Sequence, residues 1–192
     1  MTLPVPLPPP SRFVDPDEVK GILVLRDLRR RCPDASLPRL YALSYLATRD
    51  HLRRYGRLIW LDNYLPLSTG PCPSVFAFYL RALGPPPTER TWNLPEYEQF
   101  LASLPPHLPL PVPDPLDYGR FSISDRTVLQ DTLRATDTVP DDELCARTRD
   151  TAWQAGINSG LIGLDHLLLE IPDTERESLA AYLFDHTPTW TL

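Results

Sequence analysis

Side chains that could carry out chemistry are few and scattered in this chain. Cys72 and His51 form the candidate thiol–imidazole pair in its most distinctive segment, residues 40–84, and no carboxylate is spaced to orient the histidine as a base. Cys72 lies between two prolines, which is more typical of a buried corner. His107, His166 and His186 have no metal-ligand spacing, and there is no glycine-rich phosphate loop. We therefore predict a protein that is not an enzyme, with no catalytic residues, no metal and no cofactor.

The cysteines and the apolar runs set the expected compartment. Cys32, Cys72 and Cys145 are odd in number and lack a CxxC pair, which argues against a disulfide framework or a zinc site. No run approaches the ~18 apolar residues that span a bilayer. The first residues, MTLPVPLPPP, place prolines where a signal peptide needs helix formers. We expect a cytoplasmic protein that works with reduced thiols and does not contact a membrane.

Residues 40–47 are almost all apolar and predict a central, largely buried helix. Ser36 is a suitable N-cap and Gly56 a suitable left-handed terminator. The last turn carries Arg53 and Arg54, and Arg57 follows the glycine. Two interpretations stay open: these arginines complement the helix dipole, or they form a contact patch.

A short β-hairpin is expected directly after this helix. Residues 58–60 and 64–68 are rich in large apolar side chains, and residues 61–63 are turn-like because Asp and Asn tolerate left-handed conformations. Residues 70–73, Gly-Pro-Cys-Pro, predict a sharp break, after which Ser74 starts a helix through Leu83.

The helix end and the hairpin together predict a surface for a partner protein. Arginine, tryptophan and tyrosine dominate binding hot spots because they combine a large contact area with directed donors. The alternative is that the tryptophan and one tyrosine are core residues, and their exposure distinguishes the two. The candidate partner-binding residues are Arg53, Arg54, Tyr55, Arg57, Trp60 and Tyr64.

Residues 40–80, LYALSYLATRDHLRRYGRLIWLDNYLPLSTGPCPSVFAFYL, resemble the SocA-like antitoxin domain, also called the Panacea domain. That family has an apolar helix with an arginine-rich end, a ribbon with a tyrosine, and a Gly-Pro-x-Pro corner. The positions that carry the resemblance are Tyr55, Gly56, Arg57, Tyr64, Gly70, Pro71 and Pro73, with a weaker second block at Leu144, Thr148 and Trp153. The resemblance covers roughly residues 17–184.

The chain departs from the family pattern at four positions. Arg149 stands where the family has His, Cys145 where it has Ser, and Asp62-Asn63 where Gly-Asp is usual. The resemblance implies an antitoxin-like protein that neutralises a cognate toxin, the product of an adjacent gene, by direct contact. A protease that receives the toxin, or a chaperone, is a further implied partner. The alternative is a phage or mobile-element regulatory protein with a non-toxin partner, or with nucleic-acid contact through its basic half.

Proline and charge divide the chain. The 24 prolines concentrate in a mobile N-terminal tail, residues 1–16, and in a surface excursion, residues 85–115, of one domain covering 17–186. Residues 20–60 hold ten basic and three acidic residues, whereas residues 124–185 hold five basic and thirteen acidic ones. The two halves either neutralise each other across the fold or form a bipolar surface that steers a charged partner. Because the net charge is −6, we do not expect a nucleic-acid partner.

The remaining segments predict further helices. We expect a mainly α (α+β) fold, a single helical domain with one short antiparallel β-hairpin after the central helix. The predicted helices cover residues 17–31, 124–135 with Ser124 and Asp125 as caps, 141–148, 161–171 and 175–184.

Overall fold

The fold is mainly α, as predicted, with one short β-hairpin after its central helix. The computed structural model describes residues 16–74 and 118–186. The helices of these ranges are α1 (Pro16–Arg31), α2 (Leu37–Tyr55), α3 (Ile123–Thr136), α4 (Asp141–Arg147), α5 (Thr151–Ser159), α6 (Leu164–Leu167) and α7 (Asp173–His186). The strands are β1 (Tyr64–Leu67) and β2 (Gly70–Pro73), and 3-10 turns lie at Tyr118–Arg120 and Leu168–Glu170.

Two of the predicted segments fall mostly outside the described ranges. The proline-rich tail lies there except for Pro16, which opens α1. The surface excursion, residues 85–115, lies outside them entirely. The helix predicted from Ser74 begins at that residue, and its remaining residues are also outside.

Helix α2 has the ends that its sequence predicts. The Ser36 hydroxyl accepts a hydrogen bond from the Arg39 N–H at 3.2 Å, which satisfies one donor of the first turn. Gly56 adopts φ 63° and its N–H donates to the Leu52 carbonyl at 2.9 Å. A left-handed residue costs glycine no strain, so the helix stops there.

The predicted core of α2 is confirmed. Tyr41, Leu43, Leu46 and Ala47 are all buried. The helix packs against α1 on one side and against β2, α3 and α4 on others. Because it contacts these four elements, α2 is the structural centre on which the other described elements are placed.

The hairpin exists, but the predicted position of its turn is wrong. Residues 58–60 are not a strand; the turn is Ser68–Thr69, and residues 70–73 form β2 rather than a break. In register, Pro66 faces Pro71 and Tyr64 faces Pro73. In an antiparallel ladder, every second pair of facing residues exchanges no backbone hydrogen bonds. The prolines of this hairpin lie in those pairs, so their missing N–H groups remove no hydrogen bond from the ladder.

Tyr64 extends this ribbon to the C-terminal half, which explains a second incorrect prediction. Its N–H and carbonyl exchange hydrogen bonds with Ile162 at 2.9 and 2.8 Å. Residues 162–163 are therefore extended, and the predicted helix over 161–171 is replaced by α6 and a 3-10 turn. Helix α5, which the sequence analysis did not predict, begins after Asp150 and ends at Gly160, with φ 77°.

Candidate functional site

Trp60 and Tyr64 are core residues, so their prediction as contact residues is wrong. Trp60 is 1% exposed and Tyr64 is 0% exposed. The Tyr64 ring packs edge-on against Tyr45 at 5.2 Å and lies 6.4 Å from the Trp60 ring. In the ribbon, β1 lies between β2 and the Ile162 segment, and its aromatic side chain packs in the core. The alternative interpretation from the sequence, core packing, is correct for both.

The four other predicted contact residues are exposed, but the three arginines among them have partners within the chain. Arg53 pairs with Glu170 at 2.7 Å, and Arg54 pairs with Asp131 at 2.7 Å. Arg57 donates hydrogen bonds to Ser122 and Ser124 at 3.0 and 2.6 Å. The exposed residues of the predicted site are Arg53, Arg54, Tyr55 and Arg57.

These pairings belong to a wider pattern that joins the basic and acidic halves. The structure agrees with the interpretation that the two halves neutralise each other. In the ion pairs named next, the cation comes from residues 20–60 and the carboxylate from residues 124–185. The pairs that join the two halves at 2.7–2.9 Å are Lys20–Asp125, Arg39–Asp141, Arg49–Asp150, Arg53–Glu170 and Arg54–Asp131.

A buried cluster, defined here as Lys20, His51, Ser124 and Asp125, lies between α1, the end of α2 and the start of α3, with the exposed Arg57 at its edge. The His51 ring is 0% exposed, and its Nδ1 lies 2.7 Å from the Arg57 carbonyl oxygen. A carbonyl can only accept, so Nδ1 carries a proton. Nε2 is directed at Ser124 Oγ at 3.1 Å and lies 3.2 Å from Asp125 Oδ1. A carboxylate therefore does face His51, contrary to the sequence analysis.

Asp125 is the centre of this cluster. Its Oδ2 accepts from Lys20 Nζ at 2.9 Å and from the Ser122 N–H at 2.8 Å, while its own N–H donates to Ser122 Oγ. Ser122 is thus the N-cap of α3 in a reciprocal capping box, two residues before the predicted cap. Burial by itself raises the pKa of Asp125, but the His51 ring that faces it and the hydrogen bonds from Lys20 and Ser122 outweigh burial and hold that pKa well below its usual range.

The cluster does not have the geometry of a catalytic triad. In a triad the nucleophile and the carboxylate contact opposite ring nitrogens, whereas here Ser124 and Asp125 both face Nε2 of His51. The Cys72 thiol is also fully buried, and burial raises its pKa well above the ordinary value. What these contacts do is fix the end of α2 against α1 and α3.

A second group, the rim cluster, consists of Tyr45, Arg49, Arg53, Asp150 and Glu170. Asp150 accepts from the Tyr45 hydroxyl and from Arg49, each at 2.9 Å, and it also caps α5. Burial, followed by the charge and hydrogen bond of Asp150, raises the pKa of Tyr45 above its usual range. Glu170 pairs with Arg53 and accepts from the Thr151 N–H at 3.0 Å. Both carboxylates thus hold the start of α5 against α2.

An exposed isoleucine beside the buried cluster was missed by the sequence analysis. Ile123, the first residue of α3, is 85% exposed. The buried face of α3 comprises Asp125, Val128, Leu129, Thr132 and Thr136. Counted at helical spacing, Ile123 does not fall on that buried face. The periodicity of α3 in the sequence therefore predicts that Ile123 is exposed.

Arg57 contacts the start of α3 directly, and Tyr55 is linked to it through His51. The Tyr55 ring, 46% exposed, is 4.9 Å from the His51 ring, and His51 contacts Ser124. Arg57 donates to the serines on both sides of Ile123. We call Tyr55, Arg57 and Ile123 the Ile123 patch.

A groove separates the end of α2 from α7 on another side of the helix. Its volume is about 770 Å³. A Cβ at Gly56 would lie 3.2 Å from Leu179, so α7 approaches the helix terminator closely. The Arg53–Glu170 pair lines the groove, which therefore has mixed charge. Its lining residues include Leu52, Arg53, Gly56, Glu170, Ile171 and Leu179.

The two sequence blocks that carry the family resemblance meet at the hairpin. Gly70 has φ 117°, and a Cβ there would lie 2.4 Å from Thr148 Oγ1, so this position requires glycine. The Trp153 indole N–H donates to the Leu67 carbonyl at 3.0 Å, and Arg149 lies over the same ring. These residues therefore pack the hairpin against α4 and α5.

The chain matches no protein-family model, no curated protein and no solved structure. The resemblance to the SocA-like domain accordingly stays a prediction. Among residues 16–74 and 118–186 there is no group of side chains that could hold a metal ion. No helix in those same ranges is long and apolar enough to cross a membrane.

Proposed function

We propose that this chain is an antitoxin-like binding protein of the cytoplasm that neutralises a cognate toxin by direct protein–protein contact. The observation that carries the proposal is the Ile123 patch, an exposed apolar and aromatic surface on a rigidly held frame. Ile123 is 85% exposed although its neighbours Ser122 and Asp125 are fixed by a capping box. An apolar side chain exposed on an ordered helix start gains free energy when a partner protein covers it.

The frame behind the patch supports the same proposal. The buried cluster ties Arg57 and the start of α3 to α1 and α2 through contacts of 2.6–3.1 Å. A surface that is already ordered loses less conformational entropy on binding, so more of the contact energy appears as affinity. The resemblance to antitoxin domains supplies the kind of partner, a toxin encoded beside the chain. Delivery of that toxin to a protease would need the same first contact.

The alternative, a mobile-element regulator that contacts nucleic acid through its basic half, has less support. Arg39, Arg49, Arg53 and Arg54 each pair with a carboxylate of the acidic half. A phosphate backbone would have to compete with these carboxylates for the same guanidinium groups.

Co-expression with the product of the adjacent reading frame tests the proposal. We expect that product alone to arrest growth, the wild-type chain to restore growth, and the two proteins to co-purify. Ile123→Ser should weaken co-purification about tenfold, the cost of losing a hot-spot side chain. Ile157→Ser is the matched control, because Ile157 is 43% exposed on α5.

Two outcomes would contradict the proposal in different ways. If the adjacent product does not arrest growth, or if the wild-type chain does not restore it, the antitoxin function is rejected. If Ile123→Ser and Ile157→Ser behave alike while the wild-type chain protects, the function stands and the Ile123 patch is not the contact.

A further inference from the structure

A small pocket that the proposed function does not use lies between the end of α1, the start of α2 and the end of α3. Its volume is about 380 Å³, which is within the range of small-molecule sites. Three arginines and one aspartate face the same concave surface. We call it the Cys32 pocket, and its lining includes Arg31, Cys32, Arg39, Leu133, Arg134 and Asp137.

Two of these arginines keep donors for a ligand. Arg31 pairs through Nε with Asp27 at 2.7 Å, but Asp27 also pairs with Arg30 at 3.1 Å, so one carboxylate serves two cations. Arg134, exposed on the last turn of α3, forms no hydrogen bond or ion pair with any residue of 16–74 or 118–186. A guanidinium group has five N–H donors, so both side chains can bind an anion and keep their present contacts.

The third arginine compensates the helix end that borders the pocket. The carbonyl groups at the C-terminus of a helix carry partial negative charge and would repel an anion. Arg39 donates to the carbonyls of Thr136 and Val139, each at 2.7 Å, and pairs with Asp141 at 2.9 Å. Because Arg39 already occupies these carbonyls, the charge of Arg134 remains for a ligand.

The cysteine does not make the pocket a redox or metal site. Burial raises the pKa of the Cys32 thiol above its ordinary value, although the nearby arginines act in the opposite direction. The thiolate is the reactive and metal-binding form, and this environment disfavours it. Cys32 is instead a useful reporter of the pocket, since it is partly exposed while Cys72 and Cys145 are buried.

We propose that the Cys32 pocket binds the phosphate group of a small phosphorylated molecule. Arg31 and Arg134 donate to the phosphate oxygens from α1 and α3, Arg39 adds its charge, and Leu133 contacts the uncharged part of the ligand. A phosphate group has about two negative charges and three acceptor oxygens, so it can engage two guanidinium groups at once. A carboxylate has one charge and two oxygens, and it suits this set of donors less well.

This inference goes beyond the proposed function and does not depend on it. Helix α3 runs from Ile123 to Thr136, so the pocket and the Ile123 patch lie at its opposite ends. At 1.5 Å per residue, they are roughly 20 Å apart along the helix axis. A partner protein on the Ile123 patch would therefore leave the pocket open.

A small phosphorylated molecule fits this pocket better than a nucleic acid. None of the described residues that line the pocket is aromatic, so a base has no ring on which to stack. A polynucleotide also needs a path of cations along its backbone. Arg49, Arg53 and Arg54, the arginines further along α2, are already paired with carboxylates of the acidic half.

Two substitutions at the rim change the charge of the pocket in opposite directions. Neither Arg134 nor Asp137 has a hydrogen bond or ion pair from its side chain to the described residues, so the fold should be preserved. Arg134→Gln should weaken anion binding about fivefold, the effect of one charge at about 4 Å in water. Asp137→Asn removes a like charge and should strengthen binding about twofold. Arg147→Gln and Asp142→Asn on α4 are the matched controls and should leave binding unchanged.

The probe is inorganic pyrophosphate, measured by isothermal titration calorimetry against sodium acetate at equal ionic strength. We expect pyrophosphate to bind and acetate not to bind, with weaker binding in about 300 mM than in about 50 mM NaCl. Alkylation by iodoacetamide, a neutral reagent, then locates the site. Saturating pyrophosphate should slow the modification of Cys32 at least about fivefold, because the bound ligand covers the thiol. Mass spectrometry of the Cys32 peptide measures the rate.

Several outcomes would overturn the inference. Equal binding of pyrophosphate and acetate would show that the pocket does not select phosphate. Equal effects of Arg134→Gln and Arg147→Gln, or binding without protection of Cys32, would place the anion elsewhere on the chain. If a thymidine oligonucleotide without a terminal phosphate binds more tightly than pyrophosphate, and Arg134→Gln weakens it, the pocket recognises a nucleic-acid backbone and the small ligand is rejected.

Discussion

The buried cluster attaches α2 to α3, and the rim cluster attaches α2 to α5. In both clusters an aspartate at the start of the second helix makes the attachment. In the buried cluster, Asp125 at the third position of α3 receives side chains from α1 and α2. In the rim cluster, Asp150 at the N-cap of α5 receives Tyr45 and Arg49 of α2. Each aspartate satisfies backbone donors of a helix start and pairs with a cation at the same time.

The two clusters differ in their access to water. The side chains of Asp125 and His51 are 0% exposed, whereas those of Asp150 and Arg49 are 12% and 14% exposed. Water can replace part of a lost contact at the rim but not at the buried site. The comparison therefore teaches that burial, rather than the number of ion pairs, sets how much each attachment contributes to stability.

The largest expected effect is at Asp125. Asp125→Asn removes the negative charge that faces Lys20 and His51 and should cost about 3 kcal/mol of unfolding free energy, because a buried cation loses its counter-charge. Urea denaturation measures it. Asp131→Asn is the control, since that carboxylate is 39% exposed. A cost below about 1 kcal/mol at Asp125 would mean that the buried cluster does not hold α2 to α3.

A smaller loss is expected at the rim. Asp150→Ala removes the N-cap of α5 and a partner of Tyr45 and Arg49, and should cost about 2 kcal/mol. Asp165→Ala, at a side chain that is 68% exposed, should cost less than about 0.5 kcal/mol in the same denaturation experiment. If Asp150→Ala were as costly as Asp125→Asn, exposure would not explain the difference between the clusters.

Acid should weaken the buried cluster in a defined direction. The pKa of Asp125 is lower in the folded chain than in the unfolded chain, where it is about 3.9. Its contribution is therefore fully present above that value and is lost as the pH falls towards the folded pKa. We expect the stability difference between the wild type and Asp125→Asn to shrink by on the order of 1 kcal/mol between about pH 5 and pH 2. A difference that stays constant would contradict the lowered pKa.

The central helix could be predicted because its signals are local. An apolar run, a serine before it and a glycine after it specify α2 without reference to the rest of the chain. The hairpin was predicted in place but not in register. Asp62 and Asn63 favour a turn more strongly than Ser68 and Thr69 do. The pairing of β1 with β2 nevertheless places the turn at Ser68 and Thr69.

The candidate site was only partly predictable, since its contacts join distant parts of the chain. The exposure of Arg53, Arg54 and Arg57 follows from the polar last turn of α2. The burial of Trp60 depends on packing that no local pattern specifies. The pairing of His51 with Asp125 likewise depends on where α3 lies against α2. Ile123 could have been found, because it lies on a different face of α3 from the apolar residues Val128 and Leu129.

The smallest expected effect is at Arg54, which is more exposed than Arg49 on the same helix. Arg54 and Asp131 are 45% and 39% exposed, whereas Arg49 and Asp150 are 14% and 12% exposed. An exposed pair gains little because water screens the charges and two long side chains lose freedom. Arg54→Ala should therefore cost about 0.3 kcal/mol, and this cost should vanish in about 0.5 M NaCl.

Arg49→Ala provides the matched comparison on the same helix. It leaves Asp150 with only the Tyr45 hydroxyl from α2, and should cost about 1 kcal/mol with little dependence on salt. Urea denaturation at low and high salt measures both variants. Equal costs with equal salt dependence would show that these two pairs do not differ in solvent access. A larger cost for Arg54→Ala would instead place the main attachment of α2 at the surface pair with α3.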